Sequence, residues 1–305
     1  MTAQKTMTTG AWVQMGLLAC IWGGSFLSNR LAIDEAGVAT VVALRVSGAC
    51  AILWGYVLLR GLPVPRAPRL WAAFLIMGIV NNALPFSLIT WGQLSIESGL
   101  AAILNASTAI LGVLVAALAF RDERLTPAKA LGVVVGFAGV VTVIGPASLR
   151  TFDVTSLAQL AVLGASLSYA ISGAFARSVL GGLPPEVAAA GMLTGSSVVM
   201  LPAALIFDGL PEQAWSPAVW GGIIYLAVIA SALAYLIFYG LLRKVGAGNA
   251  SLTTLLVAPV AILLGAVVLG EALPLRAYLG FALLALGLLI IDGRAFGRRA
   301  EAGAT

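Results

Sequence analysis

Ten apolar runs, separated by little more than turns, leave this chain of 305 residues few ways to fold. They cover residues 11–27, 38–59, 70–90, 99–120, 127–144, 157–175, 187–207, 217–242, 249–269 and 275–291. A hydrocarbon core ~30 Å thick takes roughly 20 apolar residues per helix, so each run suits one crossing. Composition agrees, since 61% of the residues are hydrophobic and 10% are charged, whereas a soluble domain carries roughly 25% charged residues. The expectation is an all-α membrane protein of ten transmembrane helices set in a lipid bilayer.

The net charge of +5 follows from where the charges sit, and implies no nucleic-acid partner. With the N-terminus in the cytoplasm, Lys5, Arg60, Arg66, Arg69, Arg121, Arg124, Lys129, Arg177, Arg243, Lys244, Arg294, Arg298 and Arg299 fall inside. Arg30, Arg150 and Arg276 fall outside, and Arg45 lies within the second run. That asymmetry is the positive-inside pattern, and it puts both termini in the cytoplasm. Cys20 and Cys50 lie inside apolar runs and read as small core hydrophobes. Leu17 to Cys20 resembles a lipoprotein processing site, but the run continues past it, so lipidation is not expected.

An internal repeat supplies the architecture. A shift of 148 brings Ala102, Leu104, Glu123, Leu125, Leu131, Gly132, Gly139 and Gly145 onto Ala250, Leu252, Glu271, Leu273, Leu279, Gly280, Gly287 and Gly293. The units are residues 1–148 and 149–305, with five runs each. Five is odd, so the second unit enters the membrane from the opposite side and the repeat is inverted. Glu123 then lies at the cytoplasmic end of the fourth run and Glu271 at the outer end of the ninth. Inverted repeats of this kind bind substrate at mid-membrane between the halves and alternate access by rocking one half on the other.

Polar and aromatic residues recur at mid-depth in both units. Trp22, Ser25, Phe26 and Asn29 share one face of the first helix, and Asn81 and Asn82 precede Pro85 and Phe86 in the third. Asn105, Ser107 and Thr108 follow in the fourth, Ser168, Tyr169 and Ser172 in the sixth, and Ser231, Tyr235 and Tyr239 in the eighth. Proline at 85 frees a carbonyl one turn earlier, which must find another partner. Gly132, Gly136 and Gly139 form a stripe that packs helices, within a protomer or across a homodimer. Taken singly each of these residues suits interhelical bonding; taken together they favour a cavity. The expected substrate-binding set is Trp22, Asn82, Phe86, Asn105, Tyr169, Tyr235 and Tyr239; for Arg45 three roles stay open, pairing with a substrate carboxylate, snorkelling toward the outer interface, or holding carbonyls between helices. The chain has no His and no acid at mid-depth. That removes nearly all catalytic and metal-ligating constellations and leaves no carboxylate proton carrier, so neither an enzyme nor a cofactor is expected, and transport either runs passively down the substrate's gradient, the expected mode, or couples to protons through another group.

The ten runs, the duplication, the Glu-x-Leu turns at Glu123 and Glu271, and the Trp22-Gly-Gly-Ser-Phe26 run resemble the drug/metabolite transporter superfamily in its EamA-type branch. Within it, the chain is most similar to bacterial aromatic amino-acid exporters. The resemblance implies a central cavity lined by helices 1, 3, 4, 6, 8 and 9, with 5 and 10 peripheral. It also implies export of amino acids or related metabolites across the bacterial inner membrane; sugars, nucleosides or drugs are the alternative substrates.

Overall fold

A computed structural model describes residues 7–33, 35–96, 98–210, 215–260 and 274–292. Among these residues all regular structure is helical. Eight helices are long and apolar enough to cross a membrane: α1 (Thr9–Ile33), α2 (Val38–Leu59), α3 (Pro68–Gly92), α4 (Leu100–Ala119), α5 (Pro127–Ile144), α6 (Leu157–Val179), α7 (Pro185–Phe207) and α8 (Pro217–Val245). Two shorter apolar helices come next, α9 (Ala247–Val260) and α10 (Leu275–Asp292). Glu271, Leu273 and Gly293 lie outside the described residues. Several starts are written in the sequence. Pro127 and Pro217 occupy first-turn positions, where a missing N–H costs nothing, and the Thr126 and Ser216 side chains before them accept from Lys129 N and Val219 N.

Proline in the middle of α3 leaves a clear mark. Residues Ile79–Ala83 adopt the wider π-helical turn, in which Leu84 N–H reaches Ile79 O, five residues back. In that register Pro85 would have served Val80 O. Ser168 Oγ, from α6, donates to that carbonyl at 2.5 Å. A second π segment, Tyr225–Leu233, widens α8. Shifting 79–83 by 148 gives 227–231, inside it, so both units loosen their third helix at the same place. Here Trp22 Nε1, from α1, donates to Ala230 O at 3.1 Å. The exchange is reciprocal: each unit's first helix satisfies a loosened carbonyl in the other unit's third.

Helices occupying equal places in the two units also pack together. α5 meets α10 backbone to backbone, since a Cβ built on Gly139 would lie 2.8 Å from Gly280 O and one on Gly287 would lie 2.6 Å from Gly132 O. The glycine stripe is thus consumed inside the protomer. α3 approaches α7 in the same way, where a Cβ on Gly195 would come within 2.7 Å of Leu75 Cα. The cysteines depart from expectation. Both are free thiols, but Cys20 is exposed and Cys50 is half-buried beside Thr194 Oγ1, at 3.5 Å.

Candidate functional site

Between the two units lies a cavity of about 140 Å³, walled by α1, α3, α4, α6, α8 and α9 and entered by one side chain from α2. Trp22, Phe86, Asn105, Tyr169, Tyr235 and Arg45 all line it. Asn82 and Tyr239 do not. Asn82 is fully buried between helices, where Nδ2 donates to Ser196 Oγ at 2.8 Å and Oδ1 accepts a short hydrogen bond from the Tyr235 hydroxyl. The Tyr239 hydroxyl donates to Met192 Sδ at 3.1 Å. Beside Asn82 in sequence, Asn81 faces the cavity instead, with Oδ1 accepting from Ser172 Oγ at 2.6 Å. A helix whose turn is widened at 79–83 displaces the next residue's direction, which simple 3.6-residue spacing does not anticipate.

Arg45 is the charged centre of this space. It is 8% exposed, its guanidinium carbon sits 3.6 Å above the centroid of the Phe86 ring, and Nε donates to Ser231 Oγ at 2.9 Å. Among the described residues no carboxylate pairs with it. A guanidinium carries five N–H donors, and burying it without a counter-ion costs several kcal/mol. An anionic group entering the cavity would offset that cost, and a carboxylate matches the guanidinium's planar fork.

The second polar region comes from a break in α4. Its two segments, Ser98–Ala106 and Thr108–Ala119, meet at Ser107. Leu104 O there accepts Ser107 N–H at 3.1 Å, Ser107 Oγ at 2.6 Å and Ser166 Oγ of α6 at 3.1 Å. The break turns Asn105 and Thr108 toward the cavity. Asn105 Oδ1, Thr108 Oγ1 and Ser25 Oγ are buried and have no hydrogen-bond partner among the described residues.

At one end of the cavity Asn29 Nδ2 donates to Gln93 Oε1 at 2.7 Å and Thr90 Oγ1 donates to Asn29 Oδ1 at 3.2 Å. Gln93 and Thr90 are also lining residues. Gln93 escaped the sequence reading because it comes after the last apolar residues of its run, where a loop is the default. Toward the opposite end stands a charged cluster. Glu123 is 3% exposed, accepts from Ala247 N at 2.8 Å and Gly248 N at 2.7 Å, and makes a short ion pair with Arg177. Arg177 also binds Asp122 at 2.5 Å and lies 4.1 Å over the Phe120 ring. Gly246 admits this clasp, since its φ of 83° suits glycine and a Cβ there would lie 2.8 Å from Glu123 Cδ. The clasp joins the α4–α5 turn of the first unit to α6 and α9 of the second.

The sequence profile of the EamA-like transporter family matches residues 10–145 and again residues 156–292. A probable terminal-alkyne amino-acid exporter of Streptantibioticus cattleyicolor is 29% identical over 289 residues, covering 94% of each chain. An uncharacterized transporter of Archaeoglobus fulgidus is 24% identical over 281 residues, covering 92% of this chain and 98% of its own. A solved crystal structure of 18% identity superposes with a TM-score of 0.77 over 93% of this chain and 99% of that one, a likeness of fold.

Proposed function

The chain belongs to the EamA-like transporter family, and from that premise we propose that it exports amino acids from the cytoplasm by alternating access of the central cavity. The observation that carries this reading is Arg45, a buried cation facing a cavity with no acid opposite it among the described residues. A carboxylate satisfies such a site; a sugar or nucleoside leaves the guanidinium uncompensated. Phe86, Tyr169 and Trp22 supply apolar surface for a side chain, the usual mixture in a ligand pocket. The name carried by the Streptantibioticus cattleyicolor relative, an amino-acid exporter, supports both substrate class and direction.

In this reading the ten helices form two inverted units in the bacterial inner membrane, both termini are cytoplasmic, and the cavity lies at their meeting. The reciprocal hydrogen bonds at the two π segments and the pairing of α5 with α10 support such a pseudo-two-fold relation. The clasp at Glu123 then closes the cytoplasmic end, and its opening admits substrate. With no acid among the described lining residues to carry a proton, movement follows the amino acid's own gradient. Purified protein in liposomes, offered a panel of amino acids, sugars and nucleosides with and without a pH gradient, tests this. Transport of sugars or nucleosides alone would remove the substrate class while leaving the cavity.

A further inference from the structure

We propose that Asn105 and Thr108 bind the substrate's ammonium group, so that the cavity selects α-amino acids with a free amino group over their deaminated or N-acylated counterparts. This deepens the amino-acid reading and rests on it. Its basis is a set of unpaired atoms. Buried polar groups in folded proteins are nearly always hydrogen-bonded, so each exception requires a reason. Three such oxygens, Asn105 Oδ1, Thr108 Oγ1 and Ser25 Oγ, belong to residues that line one cavity. An ammonium group carries three N–H donors and no acceptor. It therefore needs oxygens that are not already accepting, and these residues offer them.

Among the described residues the lining contains one cation and no acid. A second positive group entering this space meets no full negative charge from the protein, so neutral oxygens have to solvate it. These oxygens are not tied up in helix packing. Where α4 breaks at Ser107, the Leu104 carbonyl is already satisfied by the N–H and hydroxyl of Ser107 and by Ser166, so Asn105 and Thr108 are not needed to heal the break. Their own oxygens remain for the solute. Arg45 fixes the carboxylate, the α4 break fixes the ammonium, and the side chain is left to the aromatic wall.

Competition in proteoliposome counterflow of a labelled neutral amino acid tests the proposal. The competitors are the unlabelled amino acid, its deaminated carboxylate and its N-acetyl derivative. The wild-type protein should bind the free amino acid at least about tenfold more tightly than either derivative, the worth of one or two hydrogen bonds to a charged donor. In the double variant Asn105→Leu, Thr108→Val that preference should collapse. KM for the amino acid rises about tenfold or more by the same estimate, while inhibition by the deaminated carboxylate stays at its wild-type value. Because these oxygens have no partner among the described residues, the variant's melting temperature without added substrate should stay at or above that of the wild type. A lowered melting temperature with the preference intact would make both residues packing elements and overturn the proposal. So would a wild-type protein that carries amino acids but accepts the deaminated carboxylate equally well. A wild-type protein that carries no amino acid at all would instead remove the function on which the proposal rests.

Discussion

Replacing Arg45 by methionine separates a substrate-binding cation from a structural one. In the ligand-free protein the guanidinium contributes a cation–π contact with Phe86 and one hydrogen bond to Ser231. Together these are worth about 2–4 kcal/mol. Against them stands the cost of holding a desolvated cation without a counter-ion, which is also several kcal/mol. The two nearly cancel, so the Arg45→Met protein should fold, insert and melt close to the wild type. The substrate-bound state differs. Removing one partner of a buried, hydrogen-bonded charge pair costs about 2–5 kcal/mol, which at about 1.4 kcal/mol per decade raises KM between roughly 30-fold and a few thousandfold. Initial rates of amino-acid counterflow over a concentration series measure that shift. The matching carboxamide of the same amino acid, which lacks the anion and keeps the ammonium, should lose nothing in the variant and compete at least as well there as in the wild type, because the guanidinium that repels it is gone. An unchanged KM with a large loss of thermal stability would refute the reasoning and make Arg45 a structural cation.

Glu123→Ala leaves the N–H groups of Ala247 and Gly248 without their acceptor and Arg177 with Asp122 alone; the loss, about 1–3 kcal/mol, should loosen that end and speed thiol labelling of a cysteine placed at Ser251, which lines the cavity nearby. Gly139→Leu forces side-chain atoms against the α10 backbone at Gly280 and Leu284; overpacking of about 1–3 kcal/mol or more should lower the melting temperature in detergent. In a variant lacking Cys20 and Cys50, cysteines at Arg66 or Arg243 should label only from the cytoplasm and one at Asp153 only from outside; labelling of Arg243 and Asp153 from the same side would contradict the inverted arrangement. Glu35, outside the helices, is held below the usual carboxylate range by its hydrogen bonds with Ser216. Its contribution is therefore complete above the unfolded carboxylate pKa and fades as pH falls through the lowered folded value, so the melting curves of the wild type and Glu35→Gln should converge only in acid.

Apolar runs and glycine spacing made the helical architecture legible, because in a membrane both are direct physical requirements. Pro85 announced a loosened turn, and Gly132 and Gly139 announced close helix contact. The partners were not legible: that Ser168 would take the Val80 carbonyl, or that Gly139 would meet Gly280, depends on which helices come together. Arg45 was visible as a charge inside a run, yet its arrival in the cavity needs the long reach of its side chain from α2. Asn82 and Tyr239 had the right depth but the wrong azimuth, since the π turns in α3 and α8 rotate the side chains around and beyond them. Thr108 and Ser25 stood in the sequence as ordinary small polar residues. Only their lack of partners in three dimensions sets them apart from Ser166 or Ser196, which are spent on neighbouring helices.

Counterflow with the wild-type protein tests the central claim most directly: liposomes preloaded with a neutral amino acid, the same labelled amino acid outside, and no pH or ion gradient. The cavity with Arg45 and with no acid among its described lining residues predicts rapid accumulation of label, abolished by omitting the internal amino acid and undiminished by a protonophore. Absence of amino-acid exchange in vesicles that still exchange a sugar or nucleoside, or exchange that needs an imposed proton gradient, would contradict the account.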